Sequence, residues 1–252
     1  MALCSRGLIS ESTDTTYNSA VFMVKKKDGS LHFVCDLRRV NKLLKPYVIQ
    51  MPKNRRHLQN PHIISTFDLY KGYFSVRLDR KMNNLTAFCS PKTGQSYSWN
   101  VLPMGLSVSA GAFVKVVNYL FQDKHKFPYL WYYVDDICIS SGNFAEHLTH
   151  LNAVFNTLRE NMLTINPTKA RVGYDDLEFL GHTISANGVR ISDSKTKAIQ
   201  KMVAPKTRKS LQRVLGLLNY FRRHIANYSA RTFHMRQLLR LDTKFDWSDQ
   251  CQ

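Results

Sequence analysis

Two neighbouring carboxylates, Asp135 and Asp136, interrupt the otherwise apolar run from Leu130 to Ser140. Burying such a pair without partners is costly. A hairpin tip relieves part of that cost, and a bound divalent cation relieves the rest. Magnesium takes oxygen ligands, commonly one or two carboxylates together with substrate phosphates. The plainer alternative is a solvated turn, where Asp is common. A third carboxylate, Asp68, closes a second apolar segment containing Ile63, Ile64 and Phe67. Three carboxylates from two strand ends could hold two cations about 3.5–4 Å apart, the spacing suited to in-line phosphoryl displacement. One ion would lower the pKa of an attacking hydroxyl and the other would stabilise the leaving group.

The elements that must position these groups are legible in part. Val21 to Val24 and Leu31 to Cys35 read as two strands joined at Asp28-Gly29, a hairpin signal. Pro46 and Pro52 punctuate an extended segment. A strand ends at Asp68, a turn spans Leu69 to Tyr73, and Phe74, Val76 and Leu78 alternate with polar residues as a half-buried strand would. Ser107 to Phe121 has helical spacing. A second helix should start at Asn143, with Glu146 completing a capping box and Leu148, Leu151, Phe155 and Leu158 on one face. Glu178 to Ile184 reads as one strand closed by Asn187-Gly188. A last helix from about Thr207 to Asn227 carries an apolar stripe (Leu211, Leu215, Leu218, Ile225) and a polar one (Gln212, Gly216, Asn219, Arg223). Strands and helices mixed without regular βαβ alternation predict an α+β fold.

Composition narrows the partners. The 252 residues carry 36 Lys and Arg against 18 Asp and Glu, a net charge of +18. Such an excess favours a polyanion, because each phosphate neutralised releases counterions; a solvated basic surface is the alternative. No stretch reaches the roughly 18 apolar residues of a membrane span, and Met1 to Ser10 is too short and mixed for a secretory signal. The five cysteines form no C-x-x-C pair and the nine histidines no H-x-E or H-E-x-x-H pattern, so neither a disulfide framework nor a zinc site is expected. An intracellular, cytoplasmic protein without a membrane partner is expected.

The ordered series Val34-Cys35-Asp36-Leu37-Arg38-Arg39-Val40-Asn41, Phe67-Asp68-Leu69, Leu102-Pro103-Met104-Gly105, Tyr133-Val134-Asp135-Asp136 and Phe179-Leu180-Gly181-His182 resembles reverse transcriptases of retroviruses and LTR retrotransposons, most closely the Ty3/Gypsy group. The match runs from about Leu8 to Trp247. The resemblance implies an RNA- and DNA-templated DNA polymerase with a right-hand fold and an antiparallel palm sheet. It places fingers at 1–45 and 76–108, palm at 46–75 and 109–186, thumb at 187–241 and the start of a connection at 242–252. Magnesium is the implied cofactor, as two ions for which manganese can substitute. Template with primer and deoxynucleoside triphosphates are the implied partners.

Residue by residue, the resemblance makes Asp68, Asp135 and Asp136 the catalytic metal ligands, with the Leu69 carbonyl as a fourth. It assigns nucleotide contacts to Lys26 (Lys25 or Lys27 could serve instead, and an ordinary solvated turn is the alternative), His32, Leu69, Tyr70, Tyr73, Met104 and Gly105. Tyr73 is the steric gate against a 2′-hydroxyl, whose alternative is core packing. Template and primer contacts fall to Tyr133, Val134, Leu180, Gly181, Gln212, Gly216, Tyr220 and Arg223, with Arg213 and Arg222 meeting phosphates. Lys169 is a candidate general acid for pyrophosphate, the alternative being a surface lysine in a turn. Three departures from the family pattern stand out: His32 replaces an arginine, Val108 and Ala110 replace polar and proline residues, and the sequence stops just beyond Phe245-Asp246-Trp247, where the resemblance implies a connection to a ribonuclease H domain. Met104 also stands where many relatives carry Gln or Phe. His32 is the feature that favours a rival reading, a degenerate or domesticated element that binds nucleic acid without polymerising.

Overall fold

The computed structural model describes residues 3–13, 16–25, 29, 31–45, 61–123, 125–248 and 251, so the expected extended segment through Pro46 and Pro52 and most of the Lys25–Ser30 turn lie outside them. Packing divides the chain into two compact units, Met1–Tyr174 and Asp175–Gln252.

The first unit is built on a four-stranded antiparallel sheet. Its strands are β4 (Ile63–Asp68), β7 (Leu130–Tyr133), β8 (Asp136–Ser141) and β9 (Arg171–Tyr174), in the order β7-β8-β4-β9. Phe67 lies opposite Ile137 and Ser65 opposite Ile139. Because successive side chains alternate faces, these residues share one face, which is covered by α3 (Ser109–Leu120) and α4 (Phe144–Glu160). Phe67, Ile137 and Ile139 join Phe113 and Val117 of α3 and Leu151, Val154 and Leu158 of α4 in one core. The same parity sends Asp68 and Asp136 to the opposite face.

One polar chain runs through the covered face. Ser65 Oγ lies 2.7 Å from His147 Nε2, and Ser141 Oγ lies 2.8 Å from His147 Nδ1. The buried imidazole is thereby satisfied at both nitrogens, and it ties α4 to the middle of the sheet.

A second core in the same unit joins β1 (Ile9–Glu11), β5 (Phe88–Cys89) and β6 (Ser96–Trp99), ordered β1-β6-β5, to the hairpin β2 (Val21–Lys25) and β3 (Leu31–Cys35). Leu37, just before α1 (Arg38–Asn41), and Val40 within it are buried there with Phe88 and Trp99. The short helix α2 (Arg80–Asn83) precedes β5 and is capped by Asp79, whose side chain accepts from Lys81 N–H.

In the second unit β10 (Asp176–Phe179), β11 (His182–Ser185) and β12 (Gly188–Ile191) form an antiparallel meander, followed by α5 (Asp193–Gln200), α6 (Arg208–Tyr220), α7 (Tyr228–Arg231) and α8 (Phe233–Gln237). Thr207 and Ser210 cap α6 reciprocally. Leu211 and Leu215 pack on Leu238 and Cys251. No helix among the described residues is long and apolar enough to cross a membrane.

Four expectations are corrected. Phe74 to Leu78 is no strand: Gly72–Ser75 form a 3-10 turn and Arg77 makes a single bridge to Val101. The alternation arises because Phe74 stacks on Trp99 at 5.5 Å in the second core, Val76 lines the first, and Leu78 touches both. Leu148 is exposed and Val154 takes its place in the core of α4. Glu178 to Ile184 is two strands, broken at Leu180 and Gly181, which take φ of 50° and 74°. The expected helix to Asn227 ends at Tyr220, and Arg222–His224 form a 3-10 turn.

Candidate active site

The acidic cluster is assembled by strand register. Asp68 at the end of β4 lies directly opposite Asp136 at the start of β8, and Tyr133 lies opposite Asp136 on the other side. Directly opposed residues bring their Cβ atoms to about 4.5–5.5 Å. Only Val134 and Asp135 connect β7 to β8. Val134 has φ of 58°, an outlier for a β-branched residue that costs on the order of 1–3 kcal/mol and is typical of functional turns. The Leu69 amide donates to the Asp135 carbonyl at 2.8 Å, locking the turn to the end of β4. From the other flank, the Asn166 amide donates to the Asp68 carbonyl at 2.8 Å and the Tyr70 amide to Thr164 at 2.7 Å.

The charges are only partly balanced. Lys169 Nζ lies 2.9 Å from Asp68 Oδ2, which raises the lysine pKa, the other two carboxylates adding to the effect. Burial, then the charges of Asp135 and Asp68, push the Asp136 carboxyl up to about 6. Burial also raises Asp135. Among the described residues no three His, Cys, Asp or Glu side chains converge as a self-contained ion cage. Magnesium takes oxygen ligands and draws much of its shell from substrate phosphates and water. Hard oxygen donors that repel one another are the donor set such an ion would relieve.

Around this cluster, Tyr73 is half-buried with its ring 5.2 Å from Phe113, and its hydroxyl pKa is raised by burial and by the charge of Asp135. Gly72 makes that packing feasible, since a Cβ there would stand 2.5 Å from Phe113 Cζ. Tyr70 is exposed, with Lys71 Nζ 5.0 Å from its ring centre.

Met104 is 40% exposed, in the loop before α3. Gly105 has φ of +100°, which suits glycine. The Asn41 side chain clamps this loop, donating to Gly105 O at 2.9 Å and accepting from Ser107 N at 2.7 Å. Val108 and Ala110 lie at the start of α3, whose N-cap Val108 supplies no side-chain cap; Ser109 Oγ bonds Pro103 O at 2.7 Å instead. His32 lies on β3 opposite Val24, half-buried. Lys26 falls outside the described residues.

In the second unit, the Leu180–Gly181 kink is braced by Tyr220, whose hydroxyl donates to Leu180 O at 2.8 Å. A Cβ on Gly181 would meet Lys195 and Phe221 at 3.5 Å. Gln212, Arg213, Gly216 and Tyr220 are exposed along α6, with Arg222 and Arg223 exposed just after it.

The comparisons with known proteins bear on what this arrangement belongs to. Residues 24–184, more than half of the chain, match the family model described as reverse transcriptase (RNA-dependent DNA polymerase). The chain belongs to the reverse transcriptase family. It is 27% identical over 97% of its length to the retrovirus-related Pol polyprotein from transposon 412 of Drosophila melanogaster, and 29% identical over 96% to the transposon Tf2-3 polyprotein of Schizosaccharomyces pombe. It spans only 20% and 18% of those polyproteins. Among solved structures it is similar to the foamy viral protease-reverse transcriptase bound to double-stranded DNA (28% identity, TM-score 0.81, covering 99% of this chain and 44% of that one). The same viral protein bound to an RNA/DNA hybrid matches with a TM-score of 0.75 at 28% identity, covering 98% of this chain and 33% of that one. The resemblance to LTR-element reverse transcriptases and the α+β polymerase fold both hold.

Within this family member the structure gathers Asp68, Leu69, Asp135, Asp136, Tyr73 and Lys169 at one strand-end cluster. It gathers Leu180, Gly181 and Tyr220 at another, in the second unit. Sequence reasoning missed the roles of Asn41, Gly72 and Asn166. Asn41 sat inside a motif already quoted, and its pairing with a loop 64 residues away leaves no local pattern.

Proposed function

We propose that this chain extends a primer 3′ end with deoxynucleotides, on RNA and on DNA templates. The observation that carries the reading is the register that sets Asp68 opposite Asp136, with Asp135 tied to Leu69 beside them. Asp68, Asp135 and Asp136, with the Leu69 carbonyl, would hold two magnesium ions, manganese substituting. Bound there, the ions would lower the pKa of the primer hydroxyl and stabilise the leaving pyrophosphate.

The chain's own residues then do the rest. The Tyr73 ring, held against Phe113, would meet the sugar and exclude a 2′-hydroxyl. Tyr70, Met104 and Gly105 would line the nucleotide, with Lys26 and His32 toward its triphosphate. In the first unit Tyr133 and Val134 would contact template or primer, and in the second Leu180 and Gly181 would do so. Gln212, Gly216, Tyr220 and Arg223 would follow the duplex, contacts to phosphate positioning it without reading sequence. Fingers, palm and thumb are proposed within the boundaries given above. That the similar viral enzyme is described bound to DNA and to an RNA/DNA hybrid supports a template–primer as ligand. The intact carboxylate set argues against a binder that has lost catalysis.

Primer extension by the purified chain on an RNA and on a DNA template, with deoxynucleotides and magnesium, tests the reading. Elongation on both is expected. Tight binding to both template–primers without elongation would overturn it.

A further inference from the structure

The ion pair at the acidic cluster has a specific construction. Lys169 ends a 3-10 turn, Pro167–Lys169, capped by the Asn166 side chain, which accepts from Thr168 N–H at 3.2 Å and from its hydroxyl at 2.8 Å. The backbone of the same Asn166 donates to the Asp68 carbonyl at 2.8 Å. The turn that carries the lysine is therefore fastened to the residue that the lysine contacts. Asp68 is held twice, at its carbonyl by Asn166 and at its carboxylate by Lys169.

The two ends of this pair differ in freedom. The Asp68 side chain is 22% exposed and the Lys169 side chain 61%. The carboxylate is fixed by its strand, while the ammonium sits on a solvated four-carbon stem that can withdraw at little cost. An oxygen accepting from an ammonium at 2.9 Å cannot present the same lone pair to a metal ion. Both cations are drawn by the same set of three carboxylates.

We propose that Lys169 is a built-in competitor of the divalent cation: its ammonium pairs with Asp68 Oδ2 and so weakens the hold of the carboxylate set on the ion. The proposal rests on the polymerase reading above and adds a role distinct from proton donation. A general acid acts only after nucleotide is bound, whereas a competitor weakens cation binding to the free protein. It also keeps three clustered carboxylates from being wholly unbalanced before substrate arrives.

The test uses the whole chain, free of nucleotide and nucleic acid, titrated with Mn2+ and read by electron paramagnetic resonance. Lys169→Met keeps the apolar stem and removes the charge. It should bind Mn2+ about three- to tenfold more tightly than the parent, the effect of a contact worth about a kilocalorie per mole. Its melting temperature without cation should be lower than the parent's and should recover more on adding Mn2+. Lys169→Arg, which keeps the charge, should bind Mn2+ no more tightly than the parent. Equal or weaker affinity in Lys169→Met, or tighter binding in Lys169→Arg, would overturn the proposal. Asp68→Asn and Asp136→Asn separate the two levels. If they bind Mn2+ as the parent does, the carboxylate reading itself fails; if they lose it while Lys169→Met matches the parent, only the role of the lysine fails.

Discussion

Asp136 is the residue whose surroundings most oppose its own charge. Its carboxyl rises from 3.8 to about 6 through burial and through the charges of Asp135 and Asp68. Between those values the folded protein holds a proton that the unfolded chain has released, so stability falls as pH rises through that window. Asp136→Asn removes the penalty. In cation-free buffer at pH 7 it should be more stable than the parent by roughly 1 kcal/mol, after allowing for solvent screening. The advantage should shrink as pH falls through that window and disappear below about pH 3, where the carboxyl is protonated in folded and unfolded chains alike. Thermal melts at the two pH values check this, and a less stable variant at pH 7 would count against it. Tyr73 offers a second test at this scale. Tyr73→Val removes the ring held on Phe113 and should raise the specificity constant for ribonucleotides relative to deoxynucleotides by about tenfold or more, a gate worth at least about 1.4 kcal/mol. An unchanged ratio would make Tyr73 a core residue only.

Elements show where sequence suffices and where it does not. The strands ending at Asp68 and flanking Asp135 were readable, because apolar runs broken by carboxylates leave a strong local signal, and their pairing follows from one sheet. The hairpin of β2 and β3 was readable from two apolar runs flanking Asp28-Gly29, and the α+β class from strands and helices mixed without regular alternation. Phe74 to Leu78 misled because alternation there reflects side chains reaching into two different cores. The break at Leu180–Gly181 was hidden because Leu180 adopts φ of 50° without being glycine or asparagine. At α4, Asn143 does accept from Glu146 N–H, but the Glu146 carboxylate turns to Gly142 N–H, so the box is half made. The loop after Met104 depends on Asn41, which supplies both donor and acceptor. Asn41→Ala should exchange two hydrogen bonds within the protein for bonds to water, cost about 0.5–1.5 kcal/mol of local order, and raise the nucleotide KM more than it lowers kcat. Steady-state kinetics check this; a change in kcat alone would dissociate Asn41 from nucleotide binding.

Over the whole molecule the dominant quantity is charge, +18 on 252 residues. Template–primer affinity should fall linearly on a log–log salt plot, by about 0.9 for each phosphate neutralised. Replacing the exposed Arg223 by Ala should reduce the slope by about that unit if it meets the backbone. An unchanged slope in a salt titration would remove Arg223 from the interface. Affinity and chemistry should therefore be separable, since many basic residues contribute to the first and three carboxylates to the second. The most direct measurement compares Asp135→Asn and Asp136→Asn with the parent, recording template–primer binding and single-turnover primer extension on the same samples. The account predicts abolished extension with binding retained at the parent's affinity. Extension at a rate close to the parent's in either variant would contradict it.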